Sequence, residues 1–307
     1  MLKSCNTKDY LASNGKTTMQ NPLTAAYNEA DNRTLVEAAV AGDRKALDQL
    51  VHLHQPFIYN VAWKMVHDPN DAMDLTQETL LKVITKLAQF QGKSSFRTWL
   101  YRIVTNEFLM GKRRKSETSF SSFTDYGAQL DAVPNAELTR EEEIEQEELS
   151  REMKIRCMSG MLMCLTREQR LIYILGDSFG IDHNVGAEIF EVSPQNFRVK
   201  LHRARKELYN YMNNKCGLVN NANPCRCPKK ARTLKQMGAL DEDSMQFNVG
   251  FKSKISAYAV ANHEIAGDAF EEKYTELFRD HPARQEFDKQ TAVTEILDNN
   301  ELMRYFK

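Results

Sequence analysis

Residues 96–115 read FRTWLYRIVTNEFLMGKRRK, from Phe96 to Lys115. At helical spacing, Trp99, Leu100, Ile103, Val104 and Phe108 make an apolar stripe that calls for a core. Arg97, Thr98, Tyr101, Arg102, Thr105 and Asn106 fall on the opposite side, and the basic run Lys112 to Lys115 follows. Cations attract phosphates, while aromatic and amide groups can stack on or hydrogen-bond to unpaired bases. An ordinary amphipathic helix with a solvated basic end reads the same way. The segment needs a second signal to decide it.

That signal lies between Asp182 and Leu208. Asp182 is placed to cap a short helix with Val185, Ile189 and Phe190 inward, and Glu191-Val192-Ser193 make a tight turn. Ser193 is then an N-cap and Pro194 a first-turn residue, a favoured order because proline lacks only an N–H that would be orphaned there. The following helix turns Phe197, Leu201, Ala204 and Leu208 inward. It leaves Gln195, Asn196, Arg198, Val199, His202, Arg203 and Lys206 outward. A short helix, a tight turn and a second helix with a polar, basic outer face make a helix-turn-helix pattern.

The rest of the chain is helical in period. Thr34 and Glu37 have capping-box spacing, and Gly42 ends that helix. Asp43 caps the next, whose face of Leu47, Leu50, Val51 and His54 continues past Pro56 through Phe57, Ile58, Val61 and Ala62. Beyond Asp68-Pro69-Asn70, Asp71 caps a helix with Leu75, Leu80, Val83, Ile84 and Leu87 inward. Asp74, Gln77, Glu78 and Lys82 stay outward. The loop Gln91–Ser95 leads into Phe96. Short connections between these helices predict one all-α domain over residues 31–115, after a mobile N-terminal arm over residues 1–30. Residues 116–152 are polar and then acidic, and read as a flexible linker that becomes partly helical near its end. Thr166 and Gln169 form another capping-box pair, within a second helical domain over residues 153–213. Residues 214–307 make a Cys-containing extension that turns helical from Thr233. The expected fold class is all-α, with two helical domains joined by a flexible linker and a helical C-terminal extension.

The chain has 307 residues, with 41 Lys and Arg against 42 Asp and Glu, for a formal charge of −1. That sum hides segregation. Acid gathers between Glu137 and Glu152, and base at Lys112–Lys115, Arg198–Lys206 and Lys229–Arg232. A polyanion responds to local fields more than to the sum. The N-terminus has no apolar stretch of signal-peptide length and no segment approaches a membrane span, so a cytoplasmic protein without membrane insertion is expected. Six cysteines without an export signal point to free thiols or metal ligands. No His, Cys and Ser set stands at catalytic spacing, and an enzyme is not expected.

Taken together, the motifs carry a resemblance. Asp71–Phe90 (DAMDLTQETLLKVITKLAQF), Phe96–Phe108 and the KRRK run resemble the second conserved region of bacterial RNA polymerase sigma factors of the extracytoplasmic-function group. Leu165–Leu175 (LTREQRLIYIL) and Val185–Leu208 (VGAEIFEVSPQNFRVKLHRARKEL) resemble their fourth region. The chain departs from the pattern at Ile181–Asn184, where the family has a more acidic, aromatic-containing helix start. The resemblance implies a first domain that docks on the polymerase clamp and captures unpaired bases of the minus-ten element. It implies a second domain that reads the minus-thirty-five element as duplex.

Residue by residue, Asp74, Gln77 and Glu78 form a polar edge suited to core RNA polymerase. Lys93, Ser94, Ser95, Phe96, Arg97, Arg102, Asn106, Arg113 and Arg114 are the candidates for melted promoter DNA. Trp99 reads as core first. On the second domain, Arg198, Val199 and His202 lie where a recognition helix meets base edges, with Gln195 and Asn196 beside them. Arg203, Arg205 and Lys206 fit phosphates. Partners are therefore core RNA polymerase and promoter DNA, with room for an inhibitory anti-sigma partner. The other reading is a helix-turn-helix regulator that binds operator DNA without joining the polymerase. Neither requires a cofactor. Cys216, Cys225 and Cys227, beside Pro224 and Pro228, are candidate ligands for zinc or another thiophilic metal, although a closed zinc site takes four ligands and three are local. The fourth would be a distant His or Cys, a solvent molecule or a thiol of a second chain. A redox pair with Cys216 and a reduced, metal-free loop are the other readings of the cluster. The extension is expected to act as a regulatory module placed by these cysteines.

Overall fold

Each helix starts where a side chain takes up amides that its first turn leaves unpaired. The computed structural model describes Leu23, residues 29–114, Glu117 and residues 122–240. Helix α1 spans Glu29–Val40, so Thr34 lies inside it, donating its hydroxyl to Ala30 O at 3.3 Å, and Glu37 pairs with Arg33. The expected cap at Thr34 is thus a mid-helix residue. Gly42, at φ 97°, closes the turn. Helix α2, Arg44–Val66, is capped by Asp43, and runs unbroken through Pro56. Helix α3, Pro69–Lys86, is capped by Asp68 and not by Asp71, because the Asp68 carboxylate accepts from the amides of Asn70 and Asp71 and leaves Pro69 at a position that needs no N–H. After a 3-10 turn over Leu87–Gln89, Ser95 caps α4, Phe96–Met110.

The linker residues that are described are not free. Helices α5 (Phe123–Ala132) and α6 (Arg140–Glu145) form there. Helix α7 (Glu147–Cys164) runs across the expected boundary at residue 152. Then come α8 (Arg167–Tyr173), opened by the Thr166/Gln169 capping box, a π turn over Ile174–Ser178, α9 (His183–Phe190), α10 (Pro194–Lys215) and α11 (Cys227–Gln236). Thr233 lies inside α11. Most of the N-terminal arm, and the helical pattern read beyond Leu240, fall outside the described residues; Leu23 is buried. Among the described residues the elements are helical, and one pairing of extended backbone joins Cys216 and Cys225. No helix among them is long and apolar enough to cross a membrane.

One apolar core takes in both expected domains, with Phe57, Trp63, Phe96 and Phe108 on one side and Tyr173, Phe197 and Leu201 on the other. The rings of Phe57 (α2) and Phe179 lie 4.6 Å apart, and the Lys64 ammonium sits 5.9 Å from the Phe179 ring centre. A charged network reinforces the contact. Buried Glu117 accepts from Arg167 and Arg170, both on α8. Arg170 also donates to Met65 O at the end of α2 and to Leu162, Met163 and Leu165 O at the end of α7. Burial pulls the Arg170 guanidinium down to about 10, which still leaves it charged at neutral pH. Arg167 reaches Leu109 O and Gly111 O at the end of α4. A smaller core of Leu130, Leu149, Met153, Ala231 and Leu240 seats α11 on α5 and α7.

Candidate nucleic-acid interface

The helix-turn-helix forms as its sequence dictates. Asp182 accepts from Asn184 N at 2.8 Å, and that backbone bond holds its carboxyl below the usual range. Glu191 takes a left-handed turn at φ 54°, and Ser193 accepts from Asn196 N at 3.1 Å. Gly186 lets α9 close on α10, since a Cβ there would meet the Phe197 ring at 2.5 Å. On α10, Gln195, Asn196, Arg198, His202, Arg203 and Lys206 are exposed together, and Val199 is half-buried among them. Arg198 is steadied by Gln195 at 3.0 Å. Arg205 departs from the expected phosphate role. Its guanidinium is bound to the fully buried carboxylate of Asp177, which ties α10 to the π turn after α8.

The surface of α4 is more crowded than its spacing suggests. Thr98, Tyr101 and Thr105, expected outward, are buried: α9 packs over Thr98, while the Tyr101 ring lies against His54 and Phe57 of α2. Trp99 is half-buried and tilted against Phe90 and Phe96, and Ile103 is half-buried too. Phe96 is 1% exposed, edge-on to Phe90 and His54, so it is a core residue and not a stacking platform for a base. Ser95 uses its hydroxyl to cap α4 and to bond Thr98. Arg102 donates to Glu188 O on α9 at 2.8 Å, and Thr98 donates to the Glu188 carboxylate at 3.1 Å. Lys93, Arg113 and Asn106 are exposed, and Ser94 and Arg97 half-buried.

On α3, Asp74 and Glu78 are exposed and Gln77 is half-buried. Arg114 donates to Glu78 at 2.5 Å, and that bond raises the guanidinium above its ordinary value. A candidate DNA residue and a candidate polymerase residue are thus tied to each other. The three cysteines after α10 come together around one small cavity, and Cys157 of α7 joins them there. Helical periodicity alone gave no sign of Cys157, nor of Glu188 as the partner of Arg102, since both depend on how distant helices pack.

The chain is similar to one family model and to several known proteins. The Sigma-70 region 2 family model matches residues 50–118, from α2 to just beyond α4. The ECF RNA polymerase sigma factor SigE of Mycolicibacterium smegmatis is 28% identical over 174 residues, which cover 56% of this chain and 64% of SigE. The chain thus spans just under two thirds of that relative. RNA polymerase sigma factor YlaC of Bacillus subtilis is 30% identical over 166 residues, covering 54% of this chain and 91% of YlaC. Among solved structures, CnrH in complex with the cytosolic domain of CnrY is similar at 22% identity and a TM-score of 0.42, covering 60% of this chain and 97% of that one. Since YlaC is 30% identical and matched over 91% of its length, the chain belongs to the RNA polymerase sigma factors.

Proposed function

We infer that this protein binds core RNA polymerase and directs it to promoters, as a binding protein of the cytoplasm and not as an enzyme. One observation carries the reading. The open, basic face of α10 belongs to the same chain as a sigma region 2 match, and a plain operator binder has no use for the second. Asp74 and Glu78 present acid on α3 for a basic polymerase surface. Lys93, Asn106 and Arg113, exposed on α4 and at its two ends, and half-buried Arg97 are the groups offered to melted DNA. The duplex-reading face of α10 is exposed, whereas Arg102 and Thr98 are held by α9. Promoter melting on this reading requires α9 to leave α4.

That release is within reach of binding energy. Each hydrogen bond between α4 and α9 is worth about 0.5–1.5 kcal/mol net. Moving a two-state equilibrium from 1:99 to 99:1 takes roughly 5.5 kcal/mol of differential affinity. Purified protein mixed with core polymerase should give heparin-resistant complexes on its promoters. Sequence-specific binding that needs no core enzyme, with no such complex, would favour the operator-binding regulator instead. Asp74→Lys should weaken capture of core enzyme several-fold, on the order of 1 kcal/mol, without loss of helicity. Unchanged co-purification would remove the polymerase edge from the reading.

A further inference from the structure

We propose that Cys157, Cys216, Cys225 and Cys227 form a four-thiolate site for a divalent thiophilic cation of the zinc class, which fastens the recognition helix to the C-terminal extension. The four come from different elements: Cys157 from mid-α7, Cys216 from the end of α10, Cys225 from the following loop and Cys227 from the first position of α11. They line one cavity of about 20 Å³, whose other walls are Leu130, Met153 and Met161, with Tyr211, Lys215 and Lys230 at its edge. About one water-sized sphere fits a space of 10–15 Å³, so this one has room for a single ion. All four residues are free thiols, each half-buried. Among the described residues no three Cys, His, Asp or Glu side chains yet converge tightly enough to hold a metal ion, so ligation requires the thiols to rotate inward from the walls they already occupy.

The loop that carries three of the thiols is built to hold them. Cys216 and Cys225 pair through a single isolated bridge of extended backbone. That approach needs Gly217, where a Cβ would sit 2.2 Å from Cys225 O. The Asn223 amide donates to Asn213 O at 2.9 Å and Cys216 O at 3.2 Å, and the Asn220 amide donates to Asn213 O. The Arg226 guanidinium gathers the carbonyls of Asn221, Asn223 and Cys225. Tyr126 donates to Cys157 O at 3.1 Å and fixes the fourth thiol from the α5 side. So many polar bonds spent on a short loop have no use in DNA reading, since the loop lies beyond the exposed face of α10.

Charge and donor type select the ion. Four sulfurs favour tetrahedral zinc over harder cations. Four thiolates and one divalent ion leave a charge of −2, and the cations of Lys154, Arg226 and Lys230 act on these sulfurs to offset it. Amides of Leu218 and Val219 also donate to the Cys216 sulfur.

Protein produced with zinc supplementation and purified under reductant should carry about one zinc per chain, with an absorption-edge first shell of four sulfurs at about 2.3 Å. Cys157→Ser or Cys227→Ser should reduce the zinc content at least about five-fold. Cys164→Ser should keep it, because Cys164 lies on the same helix but donates to Gly160 O and does not line the cavity. Chelation should speed hydrogen exchange in residues 216–236. A shell of nitrogen or oxygen, full zinc content in Cys157→Ser, or no zinc in reconstituted full-length protein would overturn the site. The shell measurement on unaltered protein keeps the test valid even where a variant folds poorly.

Discussion

Arg198 and Arg205 stand on the same helix and meet opposite fates. Arg198 reaches outward beside Gln195, whereas Arg205 is bound to buried Asp177 and holds α10 in place. Arg198→Ala should therefore cost about 1–3 kcal/mol at promoters with the preferred upstream element and little at others. Competitive binding to a library of upstream sequences would show it, and an equal loss on every sequence would make Arg198 a phosphate contact. His54 gives a different kind of test. It is buried between Tyr101 and Asn32, and burial lowers it from 6.5 to about 3. Below pH 6.5 the unfolded chain takes up a proton that the folded chain refuses. Stability should then fall as pH drops, by about 1.4 kcal/mol per unit, or roughly 2 kcal/mol at pH 5. Urea midpoints at pH 7 and pH 5 should differ more for the unaltered protein than for His54→Gln. Equal pH slopes would show that His54 is not held neutral. Side-chain identity located Arg198 and its exposed neighbours in advance. It could not separate Arg205 from them, because the carboxylate that claims it arrives from another helix.

At the scale of elements, caps and punctuation were legible. Asp43, Thr166, Asp182 and Ser193 each cap the helix their spacing indicates. Asp71 and Thr34 did not, because Asp68 ahead of Pro69, and the earlier start of α1, supply better or prior ends. The acidic stretch was the larger surprise. Its charge promised solvation, yet Glu152 is buried against Arg156, and α11 ties down the preceding segment through Lys230 to the carbonyls of Leu130 and Val133 and through Thr233 to Pro134 O. Such docking depends on an element far along the chain, and composition within the stretch cannot reveal it. Glu117 is the strongest point of this linker. Glu117→Ala leaves the buried Arg170 and Arg167 without their shared carboxylate and should destabilise the fold by about 3–5 kcal/mol. Thermal unfolding would register it, and a change within about 0.5 kcal/mol, typical of surface sites, would show the network to be incidental.

For the whole molecule, two sets of candidate DNA-binding residues stand in the sequence as separate patterns, and the structure packs their helices into one core. In that arrangement α10 stays open to duplex, while α9 occupies Arg102 and Thr98 of α4. Period and spacing report which face of a helix is apolar but not which distant helix covers it, so Thr98, Tyr101 and Thr105 were read as outward. The central claim is that a sigma factor closed in this way must part α9 from α4 to melt a promoter. The direct test is a Thr98→Cys/Glu188→Cys protein bridged by a short, cleavable cross-linker, compared with the same protein after cleavage in a run-off transcription assay with core polymerase. The bridge should form readily in the free protein, abolish heparin-resistant complexes and transcript, and release both on cleavage. Failure of the bridge to form, or transcription by the bridged protein equal to that of the cleaved one, would contradict the account.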